Sequence, residues 1–115
     1  MGINEKVFLL IIHYNNSAAL EKSVQRYIDI GFLPEKIFVF DNCSSGDEKA
    51  KTELFINKNH INVIWSPKNL GWGAAINHFI NSFQWSDDDL LAISAHDAIV
   101  EEMNFQVLEN EFKDE

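Results

Sequence analysis

The sequence predicts an α/β fold: a mostly parallel, four-stranded sheet with flanking helices. Three observations carry this. Four short apolar runs, at residues 7–12, 37–40, 61–65 and 90–93, are spaced through the chain. They are unbroken rather than alternating, which marks strands buried on both faces and favours a parallel sheet over a half-exposed antiparallel one. Between them, apolar residues recur at helical spacing, so strands and helices alternate in βαβ units with right-handed crossovers.

Taken in order, Val7-Phe8-Leu9-Leu10-Ile11-Ile12 is the first strand and ends in His13-Tyr14-Asn15-Asn16. Ser17 is placed to cap a helix whose Leu20, Val24, Tyr27 and Ile28 share one face, with Gly31 as its stop and Pro34 just beyond. Ile37-Phe38-Val39-Phe40 is the second strand and ends in Asp41-Asn42. Ser45 and Glu48 have capping-box spacing, which predicts a second helix to about Asn57 with Ala50, Leu54 and Phe55 inward. Ile61-Asn62-Val63-Ile64-Trp65 is the third strand, and residues 66–71 form a turn. Ile76, Phe79, Ile80 and Phe83 give the third helix its stripe. The fourth strand, Leu90-Leu91-Ala92-Ile93, runs on through Ser94-Ala95 to His96-Asp97. Phe105, Val107 and Leu108 suggest a last helix that runs into an acidic tail.

The 115 residues form one domain with no repeat, linker or low-complexity segment. A 46% hydrophobic content marks a globular chain. The net charge of -9 repels phosphate backbones, which argues against nucleic-acid binding through a basic patch. A nucleotide phosphate stays compatible with that charge if a divalent cation lies between. No apolar run approaches the ~20 residues of a membrane span, and Asn4-Glu5-Lys6 is not the basic start of a signal peptide. The single Cys43 excludes an internal disulfide and points to a reducing compartment. A cytoplasmic protein is expected, with any membrane attachment left to other segments.

Polar residues cluster after the strands: Tyr14-Asn15-Asn16, Asp41-Asn42, Asn69-Leu70-Gly71-Trp72-Gly73 and His96-Asp97. Each alone reads as a turn or cap. In a parallel sheet all four share one edge, and the ligand crevice of an open α/β sheet lies outside the carboxyl ends of its strands. Other signals carry less. Asp87-Asp88-Asp89 spells a metal motif but precedes its strand, so it belongs at the opposite edge as a solvated loop. Gly71-x-Gly73 half-matches a dinucleotide fingerprint and follows the wrong strand. Cys43 is expected to be a small buried filler. The histidines lack metal-ligand spacing, and His13, His60 and His78 read as surface or turn residues.

Ile11-Ile12-His13-Tyr14-Asn15, Phe38-Val39-Phe40-Asp41-Asn42-x-Ser44, Asn69-Leu70-Gly71-x-Gly73-Ala74-Ala75-x-Asn77 and Leu90-x-x-x-Ser94-Ala95-His96-Asp97 occur in that order. Together they resemble the N-terminal half of a family 2 glycosyltransferase of the Rossmann-like GT-A fold, nearest the rhamnosyltransferase-like branch. The resemblance covers about residues 7–100. It implies a transferase, of the kind used in polysaccharide biosynthesis, that moves a sugar from a nucleoside-diphosphate sugar to an acceptor hydroxyl. Tyr14 and Asn15 would line the base pocket, with Tyr14 as a stacking face. Asp41 would accept from an N–H of a uracil- or guanine-like base, beside Asn42 and Ser44. Asn69, Gly71, Gly73 and Asn77 would border the ribose and phosphates, next to a helix N-terminus that favours anions. His96 and Asp97 would close the crevice, and Asp97 would hold a Mg²⁺ or Mn²⁺ ion bridging the diphosphate.

Two departures accompany the resemblance. Ala95 stands where the family's Asp-x-Asp has its first acid. The family also continues for at least as many residues again, and Glu101, Glu102, Glu109 and Glu111 match no position of its catalytic base. The chain is thus expected to be a donor-binding half without a catalytic base. The missing half, or a homodimer formed through Phe105, Val107 and Leu108, would cover its apolar face. The alternative function is a truncated or inactive nucleotide-sugar-binding module. An unrelated flavodoxin-like binder would need a glycine-rich loop after the first strand, where Asn15-Asn16-Ser17 stands.

Overall fold

The computed structural model describes residues 5–86 and 89–95. The expected last helix near Phe105, the acidic tail, and His96 and Asp97 lie outside the described residues. The elements alternate as anticipated: β1 (Val7–His13), α1 (Ser17–Asp29), a 3₁₀ turn (Pro34–Lys36), β2 (Ile37–Asp41), α2 (Gly46–Asn59), β3 (Asn62–Trp65), α3 (Trp72–Asn81) and β4 (Leu90–Ala95). The strands form one sheet in the order β3-β2-β1-β4. Every pairing is parallel.

The order explains the layering. From β1 the chain winds to β2 and then β3 in one direction, and reaches β4 by crossing back to the other side of β1. A crossover of constant hand that reverses direction must run over the opposite face. Accordingly, α1 and α2 pack on one face, where Leu20, Val24, Tyr27 and Ile56 meet Val7, Leu9, Ile11, Ile37 and Val39. On the other face Ala75 and Phe79 of α3 meet Leu10, Ile12 and Phe40. β1 feeds both cores, because successive strand side chains point to opposite faces. Its residues from Leu9 to Ile12 are at most 7% exposed. The winding reverses between β1 and β4, and a doubly wound sheet opens its ligand crevice at such a point.

The helix boundaries depart from the sequence pattern in instructive ways. α1 is capped by Asn16, whose side chain accepts from the Ala19 N–H at 3.2 Å, and Ser17 is its first residue. In α2, Ser45 is the N-cap but makes no side-chain capping bond. Glu48 does not close a capping box either: its carboxylate accepts from the Ser17 N–H of α1 at 2.8 Å. The inward residues of α2 are Thr52 and Ile56, with Phe55 half-buried, whereas Ala50 is exposed and Leu54 is 72% exposed. Thr52 tolerates the interior because its hydroxyl donates to the Glu48 carbonyl one turn back at 2.8 Å. Asp89 precedes β4 and closes a turn by accepting from the Ser86 N–H, as expected for a residue at the amino edge of the sheet. Among the described residues no helix is long and apolar enough to cross a membrane.

Candidate functional site

The strand ends build one connected structure from its first residues. His13 ends β1 and lies in register with Asp41, which ends β2. Both are buried, at 0% and 1% exposure. The His13 Nδ1 and Asp41 Oδ1 atoms are 2.9 Å apart. The other carboxylate oxygen, Oδ2, accepts from the Ser44 N–H at 2.8 Å. Burial works against a charge on Asp41, but hydrogen bonds from His13 and from the Ser44 side chain and backbone outweigh it. They hold the carboxyl below the usual aspartate value.

The two loops are laced together above this pair. The Asn15 N–H donates to the Ser44 hydroxyl at 2.8 Å, and the Ser45 N–H donates to the Asn15 side-chain oxygen at 2.9 Å. Asn15 (φ 46°) and Cys43 (φ 76°) both sit in the left-handed region. Asn tolerates that region and Cys seldom enters it. Glu48 adds the bond to the start of α1, and the Ser17 hydrogen bonds hold its carboxyl below the ordinary glutamate value. Each loop thus satisfies the other's backbone, an exchange that the capping-box spacing in α2 conceals.

Asn42, only 4% exposed, performs the same service on the other side. Its side-chain oxygen accepts from the Leu70 N–H at 2.7 Å, and its amide nitrogen lies 3.5 Å from the Gly71 carbonyl. The Asn69 side chain accepts from the Gly71 N–H at 2.9 Å. Gly71 adopts φ 79° and ψ 174° as the N-cap of α3, without a side-chain capping bond. That backbone conformation is essentially restricted to glycine. Gly73 needs no such conformation, and among the described residues nothing lies within 4 Å of where a Cβ would stand at either glycine.

Several anticipated site residues therefore share one edge but play different parts. Asp41, Asn42 and Ser44 are buried in the framework, and Asn15 is half-buried within it. Tyr14 is 46% exposed, and Asn69, Gly71, Gly73 and Asn77 are also exposed. His96 and Asp97 fall outside the described residues; Ala95, the last described residue of β4, is in register with Ile12. His13 is not a surface or turn residue. The sequence signal was the matched position of two polar residues, His13 and Asp41, each closing an apolar strand. His60 and His78 are exposed, as anticipated. Cys43 is not a buried filler: it is half-buried, with its thiol 3.4 Å from the Pro67 carbonyl.

Two hollows lined by described residues include neither Tyr14, Asn15 nor Asp41. A groove of about 580 Å³ between α1 and α2 is lined by Lys22, Lys51, Lys58 and Leu54 and holds none of the strand-end residues. A cavity of about 230 Å³ lies beside the end of β3, between Trp65, Leu70 and His78. Among the described residues no three His, Cys, Asp or Glu side chains converge to hold a metal ion.

Residues 8–115 match the family described as Glycosyl transferase family 2. Two solved structures are similar to the chain. One is the mannosyltransferase PcManGT from Pyrobaculum calidifontis, in complex with GDP-Man and Mn²⁺, with a TM-score of 0.71 and 15% identity over 94% of this chain and 31% of that one. The other is S. aureus TarS, with a TM-score of 0.71 and 16% identity over 95% of this chain and 20% of that one. Identities this low speak to the fold alone, and the chain spans less than a third of either neighbour's length. A search of curated proteins found no match.

Proposed function

The chain belongs to the Glycosyl transferase family 2, and from that premise we propose that it carries the donor half of a sugar transferase. The donor would be a nucleoside-diphosphate sugar and the acceptor a hydroxyl. The carrying observation is the edge itself. The loop after β1 is bonded to the loop after β2 through Asn15 and Ser44, and the loop after β2 to the loop after β3 through Asn42, so the three form one connected edge. A crevice whose walls are already hydrogen-bonded loses little entropy when a ligand enters.

Within that reading, Tyr14 offers its exposed ring to the base. Asn69, Gly71, Gly73 and Asn77 border the ribose and diphosphate, and the uncapped N-terminus of α3 supplies N–H groups to anionic oxygen. Gly73 supports this: among the described residues no neighbour requires its missing side chain. Asp41 already accepts from His13 and Ser44 and shows almost no surface. Its part is to shape the pocket floor, with base preference set by what the floor holds in place.

Asp97, the residue matched to the family's metal ligand, lies outside the described residues, which by themselves hold no cluster of three such ligands. A divalent cation would neutralise the departing diphosphate, and Asp97 is the residue proposed to hold it, with His96 beside it. Deprotonation of the acceptor is assigned to a base from a C-terminal half, and a homodimer is the alternative partner. A cytoplasmic setting suits both.

Titration of the chain with UDP and GDP, with Mn²⁺ and with excess chelator, tests the proposal. Amide shifts at Tyr14, Asn15 and residues 69–73 are expected. Asp97→Ala should abolish the Mn²⁺-dependent part. Absence of those shifts with every nucleotide would overturn donor binding, and equal binding in chelator would overturn the metal role.

A further inference from the structure

We propose that His13 is a positioning residue for this pocket: a neutral imidazole, held as its Nδ1–H tautomer, that clamps the loop after β1 to the loop after β2. The tautomer follows from partners. The Asn16 N–H lies 3.1 Å from His13 Nε2, and a backbone N–H only donates. Nε2 must therefore carry the lone pair. A neutral imidazole has one donor and one acceptor, so the proton sits on Nδ1 and points at the Asp41 carboxylate 2.9 Å away. A protonated ring would turn a second N–H toward that of Asn16 and lose the bond. The side chains of the pair are 0% and 2% exposed, so water does not substitute for either partner.

What the clamp positions is the segment between its two ends. The chain leaves β1 at His13, passes Tyr14 and Asn15, and is tied back to the same ring by the Asn16 N–H. Tyr14 sits at the exposed crest of this closed turn. Asn15 is fixed in its left-handed conformation by the Ser44 hydroxyl, while Ser44 is itself held by Asp41. One ring therefore controls both walls, through Nε2 on one side and through Asp41 on the other. No other side chain reproduces both contacts: an Asn amide reaches the Nδ1 position and a Gln amide the Nε2 position. The effect on binding rests on the donor-site reading, whereas the tautomer and the clamp do not.

The test uses the full chain. Long-range ¹H–¹⁵N correlation should show His13 protonated at Nδ1 and bare at Nε2, and an Nε2–H or averaged ring would overturn the proposal. His13→Asn and His13→Gln each restore one of the two bonds, which favours folding over the alanine variant. The Asn variant should shift the Asn16 amide and the Gln variant the Ser44 amide. Both should weaken UDP or GDP binding in Mn²⁺ by about tenfold, the equivalent of one lost hydrogen bond. A lower Tm with unchanged affinity would mean a merely structural role and overturn the positioning claim. If the wild-type chain binds no nucleotide, the donor reading fails by itself. The ring tautomer and the two amide shifts then decide the clamp.

Discussion

Asp41→Asn is the sharpest probe of the buried floor. Among the donors to the wild-type carboxylate are the His13 ring and the Ser44 N–H, one on each oxygen. An Asn side chain has one oxygen and one NH₂, so it can accept from one of them and must face the other with a donor. His13 cannot absorb the conflict by moving its proton to Nε2, because the Asn16 N–H already occupies that side. One buried donor is left unsatisfied at ~1–3 kcal/mol, and the charge-assisted character of the remaining bond is lost as well. A total near 3 kcal/mol is expected. With ~2.1 cal/mol/K of unfolding entropy per residue, a chain of 115 residues loses ~12 °C of Tm for that change. Thermal and urea unfolding followed by circular dichroism measure it. The pH dependence supplies a second reading. The folded Asp41 pKa is lowered, so its stabilisation is present above the ordinary carboxylate pKa of ~3.9 and disappears as pH falls through the folded value. The variant has no such group to titrate and should lose less stability on acidification. A variant within ~0.5 kcal/mol of wild type, the scale of ordinary surface changes, would refute the claim that this carboxylate needs both donors.

Other substitutions separate backbone demand from ligand demand. Gly71→Ala should cost ~1–3 kcal/mol, since φ 79° with ψ 174° suits only glycine. Gly73→Ala should leave the fold intact or firm it by up to ~1 kcal/mol, as helix propensity predicts, yet weaken nucleotide binding in the same titration. Equal affinity for the Gly73 variant would remove that glycine from the phosphate site. Phe79→Ala removes a ring that is 0% exposed in the α3 core and should cost ~3–5 kcal/mol by urea unfolding. Leu54→Lys, at a position 72% exposed, should change stability by no more than ~0.5 kcal/mol.

The strands, their parallel pairing and their shared polar edge were legible because each rests on local pattern. An unbroken run such as Leu9 to Ile12 has few other solutions. The inward face of α2 was not legible: Leu54 outranks Thr52 in hydrophobicity, but Thr52 satisfies its hydroxyl within the helix and Leu54 lies over open groove. Capping chemistry was half legible. The spacing of Ser45 and Glu48 correctly marked the start of α2, but Glu48 and Ser45 bond to Ser17 and Asn15, which lie some thirty residues earlier in the chain. Local spacing carries no information about a partner supplied by another loop. His13 was missed for the same reason: an isolated histidine at a strand end reads as a turn residue until the register sets Asp41 beside it.

By itself, then, the sequence determined the α/β class, the order of the elements and the edge on which polar residues gather. Those follow from period, strand length and parallel direction, which are properties of consecutive residues. The tertiary structure alone decided which polar residues face outward and which are spent inside. Tyr14 and the Asn69–Gly73 stretch stand open, while Asp41, Asn42 and Ser44 hold the loops together. The physical reason is that a buried polar group must find its partner wherever the fold brings one. For His13 that partner is Asp41, one strand away.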